Sequence, residues 1–540
     1  MNLWTILERT ARSHPKQIAA VDGESRVTYA ELRARCAALA VGLAQRGVQR
    51  GDRIAIVEPN SLAYFESYFA TAALGAILVP LNTRLLPAEW AKILRHSGSR
   101  FLIAHGSFAA AVQELATDGA LDLLVWTSES GAWHTSRHPS AKQPATPAVF
   151  AEGWWDVCQA PYSELLTTPT HNFRPEELPD DHVAQLYYTS GTTGEPKGVM
   201  LTHANVFWHA LGARAEFAIS DSDVWSHVAP MFHLADAWSV FAFTWCGATH
   251  VFAPRFDERA VLDLFVRERV TMTNLVPTML QRLVSFEGAA QRHSPSLRMI
   301  LSGGAPIAPS VVRRIIETFR CEYVQTYGMT ETSPFLTVSL LKAHLRDAPP
   351  DVQFGFRAKT GRAFATVDLE VIGEDGLPVP ADGAHVGEIR ARGPTVTPGY
   401  WRDAAATARA FHDGWLCTGD LATIDAEGYL QIVDRKKDMI ITGGEKVYST
   451  EVEHVLHAHP GVLECAVFGV ADAEWGERVE ACVVLRPGSS ATESELAAHA
   501  RRELASFKVP RRIRFWNELP KTGSGKIEKR RLRDSCGAGD

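Results

Sequence analysis

Tyr187-Tyr-Thr-Ser-Gly-Thr-Thr-Gly-Glu-Pro-Lys-Gly-Val199 continues directly from a strand-like run that begins at Val183. The stretch sets Thr189, Ser190, Thr192 and Thr193 among Gly191, Gly194 and Gly198, with Lys197 close behind. Glycines let successive backbone N–H groups turn into one concavity, hydroxyls add donors and a lysine adds charge, a combination suited to a polyphosphate. The Walker pattern Gly-x4-Gly-Lys-[Ser/Thr] is absent, so the mechanism of kinases and P-loop NTPases does not transfer.

Outward from this loop, helical and strand patterns alternate, the arrangement that builds α/β layers. Leu32, Cys36, Leu39 and Leu43 recur at helical spacing, Gly47 is a stop, and Asp52-Arg-Ile-Ala-Ile-Val reads as a buried strand. Glu66 to Leu74 repeats the unit, with Gly75 ending a helix before Ala76-Ile-Leu-Val-Pro. Between Thr127 and Thr168 the chain turns polar and punctuated, which reads as a surface excursion within a domain. Beyond Gly361 strand patterns dominate: Val367-Asp-Leu-Glu-Val-Ile, a turn at 373–376, then Gly387-Glu-Ile-Arg-Ala-Arg. After the charged run Asp434-Arg-Lys-Lys-Asp438, a helix from about Ser449, a strand near Ala466 and a helix over Glu493 to Leu504 predict a compact α+β domain.

The chain has 540 residues, 46% hydrophobic and 22% charged, enough for more than one packed core. A net charge of -7 offers no positive field for nucleic acid, which is not an expected partner. The longest near-apolar run, Tyr68 to Leu81, is interrupted by Gly75 and Pro80 and is short of the roughly 18 residues that argue for a membrane span. No signal peptide is read at the N-terminus. Eight cysteines without a Cys-x-x-Cys pair fit reduced thiols, and a cytoplasmic location is expected. His454, His457 and His459 lack cysteine partners or a zinc-ligand spacing and read as a helix end before Pro460.

The phosphate loop resembles the signature of the adenylate-forming, AMP-binding (ANL) superfamily: acyl-CoA synthetases, nonribosomal adenylation domains and beetle luciferases. Five further segments resemble its motifs in order: Ser302-Gly-Gly-Ala-Pro306, Gln325-Thr-Tyr-Gly-Met-Thr-Glu331, Gly414-Trp-Leu-Cys-Thr-Gly-Asp420, Asp434-Arg-Lys-Lys-Asp438 and Pro520-Lys-Thr-Gly-Ser-Gly-Lys526. The resemblance spans essentially the whole chain and is strongest to acyl-CoA synthetases. It implies an α/β fold: a large N-terminal domain of layered α/β subdomains (1–435, with a small β subdomain near 361–433), then a small mobile α+β domain (436–540).

The implied reaction adenylates a carboxylic acid with ATP and Mg²⁺ and passes the acyl group to coenzyme A. Charge gathers on the pentavalent phosphorus and on pyrophosphate, so cations and hydroxyl donors are needed there. By resemblance, Lys526 bridges acid and α-phosphate, and magnesium lies near Glu331 and Thr189, with Thr330 completing the clamp. Nucleotide contacts fall to Thr189, Ser190, Gly191, Thr192, Thr193, Gly194, Lys197, Gly303, Gly304, Ala305, Pro306, Gln325, Tyr327 (stacked on adenine), Gly328, Met329 and Thr330. Asp420 takes the ribose hydroxyls with Arg435 assisting, as carboxylates do in other nucleotide folds. Lys437 matches the hinge about which the C-terminal domain rotates between half-reactions, and Gly443, Gly444 and Glu445 match the coenzyme A tunnel. His233 and Trp238 match the acyl pocket.

The aromatic segment Val228 to Gly247 suggests an apolar pocket. The overall resemblance to fatty acyl-CoA synthetases implies a medium- to long-chain aliphatic acid, with short, branched, thioether or aryl acids as alternatives. Since no carrier-protein domain follows Asp540, coenzyme A is the expected acceptor, and loading of a separate carrier protein is the rival. Ile441 stands where luciferases carry a second lysine. A homodimer is compatible with these features.

Overall fold

The computed structural model describes residues 2–116, 121–128, 158–190, 196–292, 294–521 and 527–537. Most of the polar excursion read between Thr127 and Thr168 lies outside them. Contacts divide the chain into two units: Met1–Asp368 with Ala391–Leu416, and Leu369–Arg390 with Cys417–Asp540.

In the first unit a seven-stranded sheet runs, edge to edge, Cys158–Pro161, Leu123–Trp126, Phe101–Ala104, Arg53–Val57, Ile77–Pro80, Val183–Ser190 and Pro196–Thr202. The last pair is an antiparallel hairpin on an otherwise parallel sheet. A nine-stranded sheet runs Arg362–Ala363, Phe335–Val338, Glu322–Gly328, Met299–Gly303, Met272–Asn274, Val224–His227, Thr249–Phe252, Ile18–Asp22 and Ser25–Thr28. Its middle is parallel, and its edges are antiparallel. The inner strands Arg53–Val57, Ile77–Pro80 and Phe101–Ala104 are almost wholly apolar and buried, as parallel strands covered on two faces tend to be, whereas the nine-stranded sheet also buries Ser226, His227, His250, Asn274 and Gln325.

The helix–stop–strand reading holds in detail. Thr28 caps the helix Tyr29–Gln45 and shares a capping box with Glu31. Ser61 caps Leu62–Leu74, whose end is closed by Gly75 at φ 62°, a left-handed conformation natural to glycine. That helix is buried on nearly every face because it touches strands of both sheets. It carries Tyr68 into the interior between them.

The second unit holds most of a five-stranded sheet (Asp368–Ile372, Gly387–Arg392, Trp415–Ile424 and Phe411–His412, with Leu430–Arg435 against Trp415–Ile424). Its other sheet packs the long hairpin Val462–Asp472 with Gly476–Leu485 against Ser449–Ala458 and Glu493–Ala500. Among the described residues no helix is long and apolar enough to cross a membrane.

Candidate active site

The parallel strands Met299–Gly303 and Glu322–Gly328 run in register, Ser302 beside Gln325 and Gly303 beside Thr326. Their carboxyl ends, where open α/β sheets bind ligands, therefore carry Ser302–Pro306 and Gln325–Glu331 side by side. Glycine is required at 303, where a Cβ would lie 2.6 Å from the Thr326 hydroxyl, and at 328, where it would lie 1.9 Å from the Pro334 carbonyl. Gln325 is buried: its Nε2 donates to the Ala305 carbonyl at 2.9 Å, and its Oε1 accepts from the Tyr323 hydroxyl at 2.5 Å. Gly304, Ala305 and Pro306 are exposed, and Tyr327, Met329 and Thr330 are partly exposed.

The phosphate-loop flanks form the hairpin Val183–Ser190 with Pro196–Thr202, which sets Thr189 opposite Lys197. Gly191, Thr192, Thr193 and Gly194 lie outside the described residues. Lys197 places its Nζ 5.2 Å from the centre of the Tyr400 ring, and the Tyr400 hydroxyl donates to Glu331 Oε1 at 2.8 Å. The segment Thr397–Trp401 stitches these parts together. Thr397 N–H donates to the Glu331 carbonyl (2.8 Å), Met200 N–H to the Gly399 carbonyl (3.1 Å) and Trp401 N–H to the Gly198 carbonyl (2.7 Å). Burial, then the Glu331 carboxylate, pushes the Tyr400 phenol up, so at neutral pH it is a donor.

Sequence reading missed Tyr400; its signal was the Pro398-Gly399 turn, where Gly399 takes φ 143° and a Cβ would press on Thr407. Glu331 is 7% exposed, with one oxygen committed to Tyr400. One carboxylate beside hydroxyls fits Mg²⁺, which takes one or two protein carboxylates when phosphates and water supply its remaining oxygens.

His233 is exposed and accepts the Ala235 N–H at 3.1 Å, capping the short helix Leu234–Ala237. Trp238 turns the other way. It is 2% exposed, its indole N–H donates to the Ala235 carbonyl at 3.2 Å, and its ring lies 5.0 Å from Phe335 and 5.1 Å from Trp225. Phe241 and Phe243 are also buried. Phe232, beside His233, and Trp245 are partly exposed, so the aromatics of Val228–Gly247 divide between core and surface.

In the second unit Asp420 and Arg435 face each other across an antiparallel pair, Nε to Oδ1 at 3.4 Å. Lys437 follows in the turn Arg435–Met439, where Asp438 N–H donates to the Arg435 carbonyl at 2.9 Å; burial lowers the Lys437 pKa. Asp434 is buried and accepts from the Ser449 N–H (2.5 Å) and hydroxyl (3.0 Å). Gly443 (φ 58°) and Gly444 (φ 84°) form an exposed hairpin tip ahead of Glu445, and a Cβ on Gly443 would lie 2.8 Å from the Trp475 ring. Lys526 lies outside the described residues.

The chain belongs to the AMP-binding enzyme family: residues 7–401 match its main domain and residues 451–526 its C-terminal domain. It is 39% identical over 536 residues to a feruloyl-CoA synthase of an Amycolatopsis species (98% of both chains), and 35% identical over 550 residues to a long-chain-fatty-acid–CoA ligase of Thermus thermophilus (99% of this chain, 95% of the other). Among solved structures, ATP-bound MatB from Rhodopseudomonas palustris superposes with a TM-score of 0.83 at 28% identity over 99% of both chains. The o-succinylbenzoate CoA synthetase of Bacillus subtilis, in complex with its acyl-adenylate, does so with 0.81 at 30% identity over 99% and 98%. The protein is an ATP-dependent, AMP-forming CoA ligase that uses ATP, Mg²⁺ and coenzyme A.

Proposed function

We propose that the acid is aromatic, of the feruloyl type. The observation that carries this reading is the 39% identity to feruloyl-CoA synthases over nearly the full length of both chains, against 35% for the long-chain ligase from Thermus. A medium- to long-chain fatty acid is the second reading, supported by the Thermus relative.

In the first half-reaction an acid carboxylate oxygen attacks the α-phosphorus of ATP, the bond to the β-phosphate bridge breaks, and pyrophosphate leaves. Lys197 and the Thr189–Thr193 loop bind the polyphosphate, Tyr327 stacks on adenine, Asp420 and Arg435 hold the ribose, and Lys526 bridges acid and α-phosphate. Glu331, oriented by Tyr400, with Thr189 and Thr330 holds Mg²⁺, which when bound supplies charge neutralisation to the phosphates. In the second half-reaction the thiol sulfur of coenzyme A attacks the acyl carbon, AMP leaves with the mixed-anhydride electrons, and the thiol proton passes to solvent. Gly443 and Gly444 leave room for the thiol arm, and Lys437 is the pivot between the two steps.

Pyrophosphate release with ferulate, benzoate, octanoate and palmitate, with and without coenzyme A, tests the proposal. Coenzyme A-dependent feruloyl thioester is expected. Thioester from palmitate alone refutes the aromatic reading, and stable acyl-AMP without thioester moves the acceptor to a carrier protein.

A further inference from the structure

The turn that carries His233 joins the strand Val224–His227 to the helix Ser239–Cys246, and side chains distant in sequence pin its main chain. Asn60, 7% exposed, spends its whole amide there. Its Nδ2 donates to the carbonyls of His227 and Ala229, both at 2.9 Å, and its Oδ1 accepts the Met231 N–H at 2.8 Å. Tyr68, 2% exposed, has its hydroxyl 2.9 Å from the Met231 carbonyl and 2.8 Å from the Tyr187 hydroxyl. A carbonyl only accepts, so Tyr68 donates to Met231 and Tyr187 donates to Tyr68. The far end of the turn is held from below. Asp236, fully buried, accepts from His227 Nδ1 at 2.5 Å and from the Trp225 indole N–H at 3.3 Å. Behind His227 stands His250, Nε2 to Nδ1 at 2.9 Å, which burial and its neighbour His227 hold neutral.

We infer that Tyr68 and Asn60 are positioning residues that fix the acid-binding turn against the strand entering the phosphate loop, and so set the substrate geometry without touching substrate. The inference rests on reading the His233 turn as a wall of the acid site. It turns on an asymmetry of support. The strand Val183–Ser190, which bears Tyr187, is held along its length by pairing with Pro196–Thr202 and also pairs with Ile77–Pro80. It keeps its place without the Tyr187 hydroxyl. The segment Val228–Trp238 belongs to no strand; beyond the short helix Leu234–Ala237 and a few turn bonds of its own, its main chain is held by side-chain bonds from Asn60, Tyr68 and Asn274. Losing the Tyr68 hydroxyl therefore releases the Met231 carbonyl, two residues before His233, while Asn60 keeps the Met231 N–H and the phosphate-loop strand stays in place.

The test measures kcat and the KM values for acid and ATP separately in Tyr68→Phe, Tyr187→Phe, the double variant and His233→Ala, using the acid the wild type turns over fastest. Tyr68→Phe is expected to raise the acid KM about fivefold, the scale of one buried neutral hydrogen bond, and to leave the ATP KM within about twofold. The double variant is expected to match Tyr68→Phe, because the Tyr187 bond ends on Tyr68. If Tyr68→Phe does not fold, Tyr187→Phe reports on the same chain of bonds with a smaller rise in acid KM. A fall in kcat or melting temperature with both KM values unchanged makes the role structural and overturns the inference. A raised acid KM in His233→Ala beside a silent Tyr68→Phe overturns it while sparing the reading of the turn. A silent His233→Ala overturns both.

Discussion

Tyr400→Phe removes one oxygen and keeps the ring, so the Lys197 ammonium retains its aromatic face at 5.2 Å and the stitched segment keeps its backbone bonds. What is lost is a 2.8 Å bond from a neutral phenol to the Glu331 carboxylate, half-buried on the tyrosine side and buried on the glutamate side. Hydrogen bonds to charged groups contribute about 1.5–3 kcal/mol, which corresponds to roughly 10- to 100-fold. If that bond orients Glu331 for the nucleotide step, single-turnover pyrophosphate release falls about tenfold or more. Thioester formation from supplied acyl-adenylate, which has no pyrophosphate to expel, keeps its rate. The two half-reactions are followed separately, the first by pyrophosphate detection and the second by mass. Parallel loss of both marks a general folding defect, and no loss of either means that Glu331 needs no such support; each result refutes the reasoning.

Lys526→Ala is expected to abolish acyl-adenylate formation and spare thioester formation from supplied acyl-AMP; equal loss of both steps excludes its assignment to the first. Asp420→Ala should raise the KM for ATP at least tenfold through loss of the ribose contact, and an unchanged value removes that role. Gly443→Ala places a Cβ at φ 58° and 2.8 Å from the Trp475 ring, so the coenzyme A-dependent step should slow while adenylation continues. Glu58 is buried, and burial raises its pKa to about 8 against the hydrogen bonds from Thr127 and Ser61. The folded acid keeps its proton up to that pH, whereas the unfolded chain gives it up near the usual carboxylate value of about 4.3. Unfolding thus releases a proton between those values, and the stability that the neutral acid contributes declines as pH rises from 5 to 8, at most by about 1.4 kcal/mol per unit. The urea midpoint of wild type relative to that of Glu58→Gln should fall between pH 5 and pH 8; a pH-independent gap refutes the titration.

Periodicity was enough to read the helix–strand units because their punctuation is local: Gly75 ends one helix through its own φ, and Ser61 caps the same helix through its own hydroxyl. The motifs around Gly303 and Gly328 were legible only through their resemblance to a known family, and the structure adds the steric demand that each glycine answers. Tyr400 was not legible, because its importance comes from Glu331 and Lys197, both distant in the chain. The direction of the Trp238 ring was not legible either: the single turn of helix after His233 sets it against Phe335 and Trp225. Direction of this kind depends on a short helix that no composition or spacing announces.

The stitch at Thr397–Trp401 also has a consequence during synthesis. The Thr397 hydroxyl bonds the Met200 carbonyl across 197 residues of chain, at 2.5 Å. A ribosome adding about 5–20 residues per second needs roughly 10–40 s to cover that interval. Throughout it the phosphate hairpin has emerged without the segment that joins it to Glu331, so a nascent chain has its nucleotide loop long before it has a finished place to bind the nucleotide.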